Sequence, residues 1–231
     1  MNLARPFALL LLLAPLASWA QERARPEIKQ ELWASFGVQG RPSFLEGLLG
    51  KSFTKKLRTN GELGYRSADS FFAGRQFYMD LGIAYKLNDH VTVGTEGRYA
   101  HRSDAADRQR LCALFKYETQ VDRLDLGYRF DYQHNFRPFG EVREVLRNKF
   151  IAGYNIPKWK FDPQLSVEFF TWAGNTGLSY FGTRYKLGTT FDLKKGHSLG
   201  IGVLHDRERM VYAPTYRFMF SVEYGINLRK T

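Results

Sequence analysis

Five histidines, one cysteine and a scatter of arginines are the residues of this chain with chemistry to offer. His101 stands near Asp104, His134 near Asp131, and His205 beside Asp206 and near Glu208. A carboxylate that orients an imidazole is half of a general-base device, and it needs a nucleophile or a water within reach. His101, His134, His205 and Asp206 are therefore the catalytic candidates, for hydrolysis of a lipid or protein at a membrane rim. The opposing observations carry more weight. No GxSxG pattern supplies a serine nucleophile. By alternation the three histidines share a register with Tyr99, Tyr132 and Val203, and an imidazole is an ordinary amphipathic residue at such a boundary. The balance is against an enzyme.

No HxH, HxxxH or clustered Cys/His spacing is present, so neither a metal nor a cofactor is expected. Cys112 is the only cysteine. It excludes an intramolecular disulfide and reads as a buried, inert thiol. The formal net charge of +11 raises the question of nucleic acid, but no basic stripe supports it. The arginines have another use. Arg102, Arg108, Arg137, Arg143, Arg207 and Arg209 flank the segments between apolar runs. Guanidinium forks grip phosphate bidentately, so this set is a candidate ring for lipid phosphate; a solvated basic rim is the alternative.

The elements that carry these residues alternate with period two. In YMDLGIAYKLNDHVTVGTEGRYAHR, residues 78–102, Leu81, Ile83, Tyr85 and Leu87 lie on one face. Asp80, Lys86, Glu96 and Arg98 lie on the other, around a turn at Asn88-Asp89-His90. That is a β-hairpin with one greasy face. The same unit recurs to the end of the chain, giving ten strands from about residue 53 to 229. Short turns are expected at 88–90, 122–123, 157–158 and 194–196. Longer loops are expected at 67–75, 103–109, 136–143, 172–178 and 206–214. Such sorting of loops by length is typical of outer-membrane barrels. The charged register mixes both signs with Gly64, Gly82, Gly94 and Gly200, as in a crowded interior. The greasy face then meets lipid.

Residues 1–20, MNLARPFALLLLLAPLASWA, read as a secretory signal peptide, with the mature chain starting at Gln21. Residues 21–52 form an N-terminal strand and connecting segment, and 53–231 the barrel. ELWASFGVQ, residues 31–39, alternates as an eleventh strand that breaks an even count; it pairs with a hidden twelfth or lies at the barrel edge. GRPSFLEGLLGKSF, residues 40–53, is either a short amphipathic helix at the membrane surface or an irregular turn. The expected fold is all-β: a single antiparallel transmembrane β-barrel of about 10–12 strands in the cell outer membrane.

ELW, DLGIAYKLNDHVTVGTEGRY, RNKFIAGYNIP, DPQLSVEFF and GTRYKLGTTFDLKKGHSLGIGV together resemble a family of exported bacterial proteins known only through a domain of unknown function. Its members resemble small outer-membrane β-barrels. The resemblance spans about residues 30–228 and implies the fold and the outer membrane, with no catalytic residues to carry over. One departure is the ending Leu228-Arg229-Lys230-Thr231, where many outer-membrane barrels finish on an aromatic residue. The expected partners are membrane lipids, outer-leaflet glycolipid among them, and the barrel-assembly machinery, with no nucleic acid. The expected role is structural or envelope-associated, with a plugged lumen. A rim lipid hydrolase and a small channel or transporter are the alternatives.

Overall fold

The structure, a computed structural model, describes residues 25–69, 71, 73–103, 105–136, 142–174, 177–209 and 214–228, with only the backbone at 142–143. The expected signal peptide, Asp104 and Arg137 lie outside the described residues. Eleven strands among them close into a barrel. They are β1 (Glu27–Gly40), β2 (Leu57–Ser67), β3 (Gly74–Lys86), β4 (Val91–Arg102), β5 (Arg108–Val121) and β6 (Leu124–Phe136), followed by β7 (Val142–Tyr154), β8 (Pro163–Gly174), β9 (Gly177–Asp192), β10 (His197–Glu208) and β11 (Thr215–Asn227).

Each strand pairs antiparallel with the next, and β1 pairs parallel with β11 from Glu27 opposite Thr215 to Gln39 opposite Asn227. The parallel pair corrects the expectation of a wholly antiparallel sheet. Its cause is parity. Strands that alternate in direction leave the first and eleventh pointing the same way, and closure must join those two. ELWASFGVQ is therefore neither an edge nor half of a hidden hairpin: it is the body of β1, between β2 and β11.

Segments 68–73, 103–107, 137–141, 175–176 and 209–214 join the strands at one end, called upper here. Segments 41–56, 87–90, 122–123, 155–162 and 193–196 join them at the lower end. The expected contrast in loop length holds in part: the lower turns 87–90, 122–123 and 193–196 have two to four residues, and four of the five upper connections have five or six. The upper 175–176 connection has two residues, and its flanking Gly174 and Gly177 still pair. The lower 155–162 connection, at eight residues, is longer than every upper one. The strands simply run on into polar sequence, because the ladder bonds need only backbone.

The segment 40–53 takes the helical of its two readings. A 3-10 turn, Ser43–Leu45, leads to two short helices, Glu46–Leu49 and Lys51–Lys56. They are broken at Gly50, whose φ of 80° suits glycine. Phe44 and Leu48 project outward at 82% and 81% exposure. Phe53 stacks on Tyr85 of the wall at 4.7 Å, which fixes the connector against the barrel's outer face.

The two faces of the wall are inverted relative to a soluble barrel. Leu63, Phe77, Leu81, Phe150, Leu187 and Val203 are each more than half exposed on the outside. Glu31 and Asp131 are fully buried inside. An apolar surface wrapping a whole barrel far exceeds the patches that water-soluble monomers carry. Lipid is the solvent that accepts it, and the closed ladder satisfies the backbone there without water. Period two therefore dictates the greasy face of the 78–102 hairpin to lipid and its charged face to the lumen. Among the described residues no helix is long and apolar enough to cross a membrane; the strands do so.

Two departures from the period are local. Arg66 pairs with Gln76 and Ser67 with Gly74, so Arg75 is skipped and reaches the lumen, where it meets Glu31. Phe170 pairs with Gly182 and Thr171 with Tyr180, so Phe181 is skipped as a bulge. Sequence alternation assigns Phe181 to the outer series with Tyr185 and Leu187. The bulge turns it inward instead, where it stacks on Trp172 at 4.5 Å.

A lipid-facing arginine at mid-membrane costs about 2–4 kcal/mol in barrels of this kind. Ile83→Arg is expected to lower the unfolding free energy by that amount in urea titrations of refolded protein. Ile83→Leu is expected to leave it within error.

Candidate functional site

The lumen holds the densest chemistry of the molecule. Inward residues on ten of the eleven strands form a chain of ion pairs around the wall. Arg75 lies 2.7 Å from Glu31, and Glu31 is 3.4 Å from Arg217. Arg217 approaches Asp206 at 3.9 Å, and Asp206 meets Arg184 at 2.7 Å. Glu168 lies 3.6 Å from Arg184 and 2.9 Å from Arg147. Asp131 lies between Arg147, at 3.3 Å, and Arg129, at 2.6 Å. Glu96 then links Arg129 and Arg110, and Asp80 links Arg110 and Arg98. Asp80, Asp131 and Glu168 are at most 4% exposed, a depth at which an unpaired carboxylate is very costly. Cross-strand pairing makes the belt possible: each acid sits one strand away from a base in the same inward register.

The belt passes over β2. There the inward residue at its level is Arg66, which faces Trp33 on β1 and Tyr78 on β3. Its guanidinium carbon lies 4.0 Å from the Trp33 ring centroid and 5.1 Å from that of Tyr78. Tyr78 has room because its partner across the ladder is Gly64. A Cβ on Gly64 would fall 2.0 Å from the Tyr78 ring, so only glycine lets the ring lie flat on β2. Tyr78 donates its hydroxyl to Glu62 at 2.6 Å, and the Trp33 indole N–H donates to Glu31 at 2.9 Å.

The belt and its aromatic neighbours divide the lumen. A lower vestibule of about 830 Å³ runs from Gln39, Lys86 and Asn227 up to Trp33 and Arg184. An upper chamber of about 260 Å³ is lined by Arg108, Trp172 and Phe181 among others. Gln133, Phe170 and Arg184 line both and stand where the two meet. The vestibule wall carries eleven Arg and Lys against six Asp and Glu.

The histidine candidates stand elsewhere, on the outer face near the upper end, and their acids are not the expected ones. His101 meets Asp107 at 2.9 Å, and Tyr99 donates its hydroxyl to the same carboxylate. That hydroxyl, with the imidazole and the Arg102 backbone N–H, holds the Asp107 carboxyl below the usual range. His134 meets Glu144 across the β6–β7 ladder at 2.7 Å. Asp131, the expected partner, faces the lumen in the belt. His205 is stacked on Phe218 at 4.4 Å, and its Nδ1 has no hydrogen-bond partner; Asp206 points the opposite way, into the belt. Residues an odd number apart on a strand face opposite sides, which is why the sequence neighbours fail. The readable sign was a repeated Tyr-x-His, at Tyr99–His101 and Tyr132–His134. Among the described residues no Ser, Thr or Cys side chain is hydrogen-bonded to these three imidazoles. None of the described His, Cys, Asp or Glu residues group to hold a metal ion.

The six candidate arginines separate. Arg207 faces outward and donates to the Tyr216 hydroxyl at 3.2 Å. Arg209 is exposed just beyond β10. Arg102 shares the inward register of Arg98, and Arg108 lines the upper chamber. Arg143 belongs to β7, and Arg137 lies outside the described residues. Cys112 is 1% exposed, on the inward register.

A family model described as "Protein of unknown function (DUF2490)" matches residues 15–212. No curated protein matches the chain. Among solved structures, that of the NanC porin is similar at 11% identity and a TM-score of 0.44, covering 75% of this chain and 86% of that one.

Removing one cation from the belt strands the acids around it. Arg147→Ala leaves Asp131 and Glu168 each short of a partner and is expected to cost about 3–5 kcal/mol. The loss is read as a lower midpoint for the folded-to-unfolded gel shift on heating in detergent.

Proposed function

The chain belongs to the DUF2490 family, and we propose that it works as an outer-membrane β-barrel with a barred lumen, an envelope component rather than an open pore. The observation that carries this reading is the ion-pair belt. Its guanidinium–carboxylate pairs, with Phe170, stand between the vestibule and the upper chamber, and a chain of buried pairs resists local opening because moving one member exposes the next. The outer membrane is supported by the strand-built apolar wall together with the export signal expected at residues 1–20. The lysines of the lower turns and the exposed Phe44 and Leu48 suit the periplasmic side, with the upper end facing out. Assembly through the barrel-assembly machinery follows from the same placement.

A small anion channel is the second reading, favoured by the excess of eleven bases over six acids in the vestibule. A rim hydrolase has only the carboxylate–imidazole pairs at His101 and His134 to support it. Planar-bilayer recording separates the first two. The barred lumen predicts no stable, large single-channel steps. Reproducible steps with preference for anions would overturn it in favour of the channel.

At the upper rim, Arg207 and Arg209 are the arginines proposed to touch outer-leaflet glycolipid phosphate. Replacing both with Gln is expected to reduce the glycolipid that co-purifies while the heat-modifiable gel shift stays unchanged. Equal glycolipid in the variant would return them to a solvated rim.

A further inference from the structure

Five side chains stack across the lumen as alternating cations and rings: Arg184, Trp33, Arg66, Tyr78 and Arg98. Arg184 lies 5.0 Å from the Trp33 centroid, and Arg98 lies 4.1 Å from that of Tyr78. The two outer cations have their carboxylates, Asp206 and Glu168 for Arg184, and Asp80 for Arg98. The central one has none. Among the described residues no acid lies within ion-pair distance of Arg66, and its Nε is shut off from solvent without a hydrogen-bond partner. The acids nearest the stack are committed. Glu31 serves Arg75, Arg217 and the Trp33 indole, and Glu62 takes the Tyr78 hydroxyl.

A guanidinium held between two rings is well packed on its faces but unsatisfied at its edge, where its N–H groups lie. Here that edge borders the vestibule, whose wall is already rich in cations. Cation–π attraction to the two rings favours a guanidinium between them, but it acts on the faces and leaves the N–H edge and the repulsion from neighbouring arginines unmet. We propose that Arg66 is the primary contact of an anion site at the head of the vestibule, for a small solute bearing a carboxylate or phosphate. The fork donates to such an oxyanion bidentately, and the flanking rings exclude water from both sides. Entry is from the lower end, through the wider of the two chambers. The site rests on the lumen's geometry and is independent of whether the lumen conducts, because binding is scored in detergent and conductance in bilayers.

The test uses the full mature barrel in non-ionic detergent, with intrinsic tryptophan fluorescence and calorimetry as readouts. Inorganic phosphate and acetate are titrated at constant ionic strength against chloride. A saturable response to at least one of them is expected, weakened about tenfold or more in Arg66→Met, since a charge-assisted contact of this kind is worth that much. Arg66→Lys keeps the charge without the fork and is expected to bind with intermediate affinity. If the Met variant does not fold, the Lys variant and the wild-type titration still decide. No saturable response in wild type overturns the proposal, as does equal affinity in wild type and every Arg66 variant that folds.

Discussion

Among the described residues no carboxylate at the centre of this lumen stands alone, and the rest of the molecule is arranged around that requirement. An acid buried among side chains must be met by a cation with good geometry. In a barrel the cation comes from the next strand, in the same inward register. Each inter-strand register is thereby tied to an electrostatic match as well as to the ladder. A slip by one residue would turn an arginine to lipid and a leucine to the lumen at once, so the two penalties reinforce each other. The belt also explains the small residues near it. Gly64 is there because Tyr78 must lie flat, and Tyr78 lies flat because Arg66 needs a ring beside it.

The barrel was legible from period two alone, because lipid outside and charge inside impose the same alternation on every strand. The inward set Asp80, Lys86, Glu96 and Arg98 followed directly. The partners did not. Arg147 reaches acids on β6 and β8, and no local spacing encodes which residues stand opposite. The histidines failed for the complementary reason. Asp131 and Asp206 are close to His134 and His205 in sequence, yet an odd offset sends them through the wall. Phe181 was misplaced by a bulge that no single residue announces. Loop lengths were legible in part: 155–162 and 175–176 reversed the pattern, because strand ends are polar and still paired.

Arg66 was visible as one more inward arginine in an alternating strand. Its distinction depends on two rings from neighbouring strands and on acids occupied elsewhere, which is a property of closure. Sequence reading finds the list of charges; only the closed cylinder shows which charge is left over.

The parallel contact between β1 and β11 has a practical consequence for rewiring the chain. In a barrel of even strand number, both termini emerge at one end and a short linker joins them. Here β1 begins at the upper end and β11 finishes at the lower. A linker from Asn227 to Glu27 would have to run the full height of the wall, roughly 35 Å once the ~45 Å contour of fourteen residues at strand rise is reduced by the strands' tilt. It has only two routes, through the lumen or through lipid. Circular permutants that are simple for even-numbered barrels are therefore closed to this one, and tags placed beside β1 and β11 report on opposite faces of the membrane.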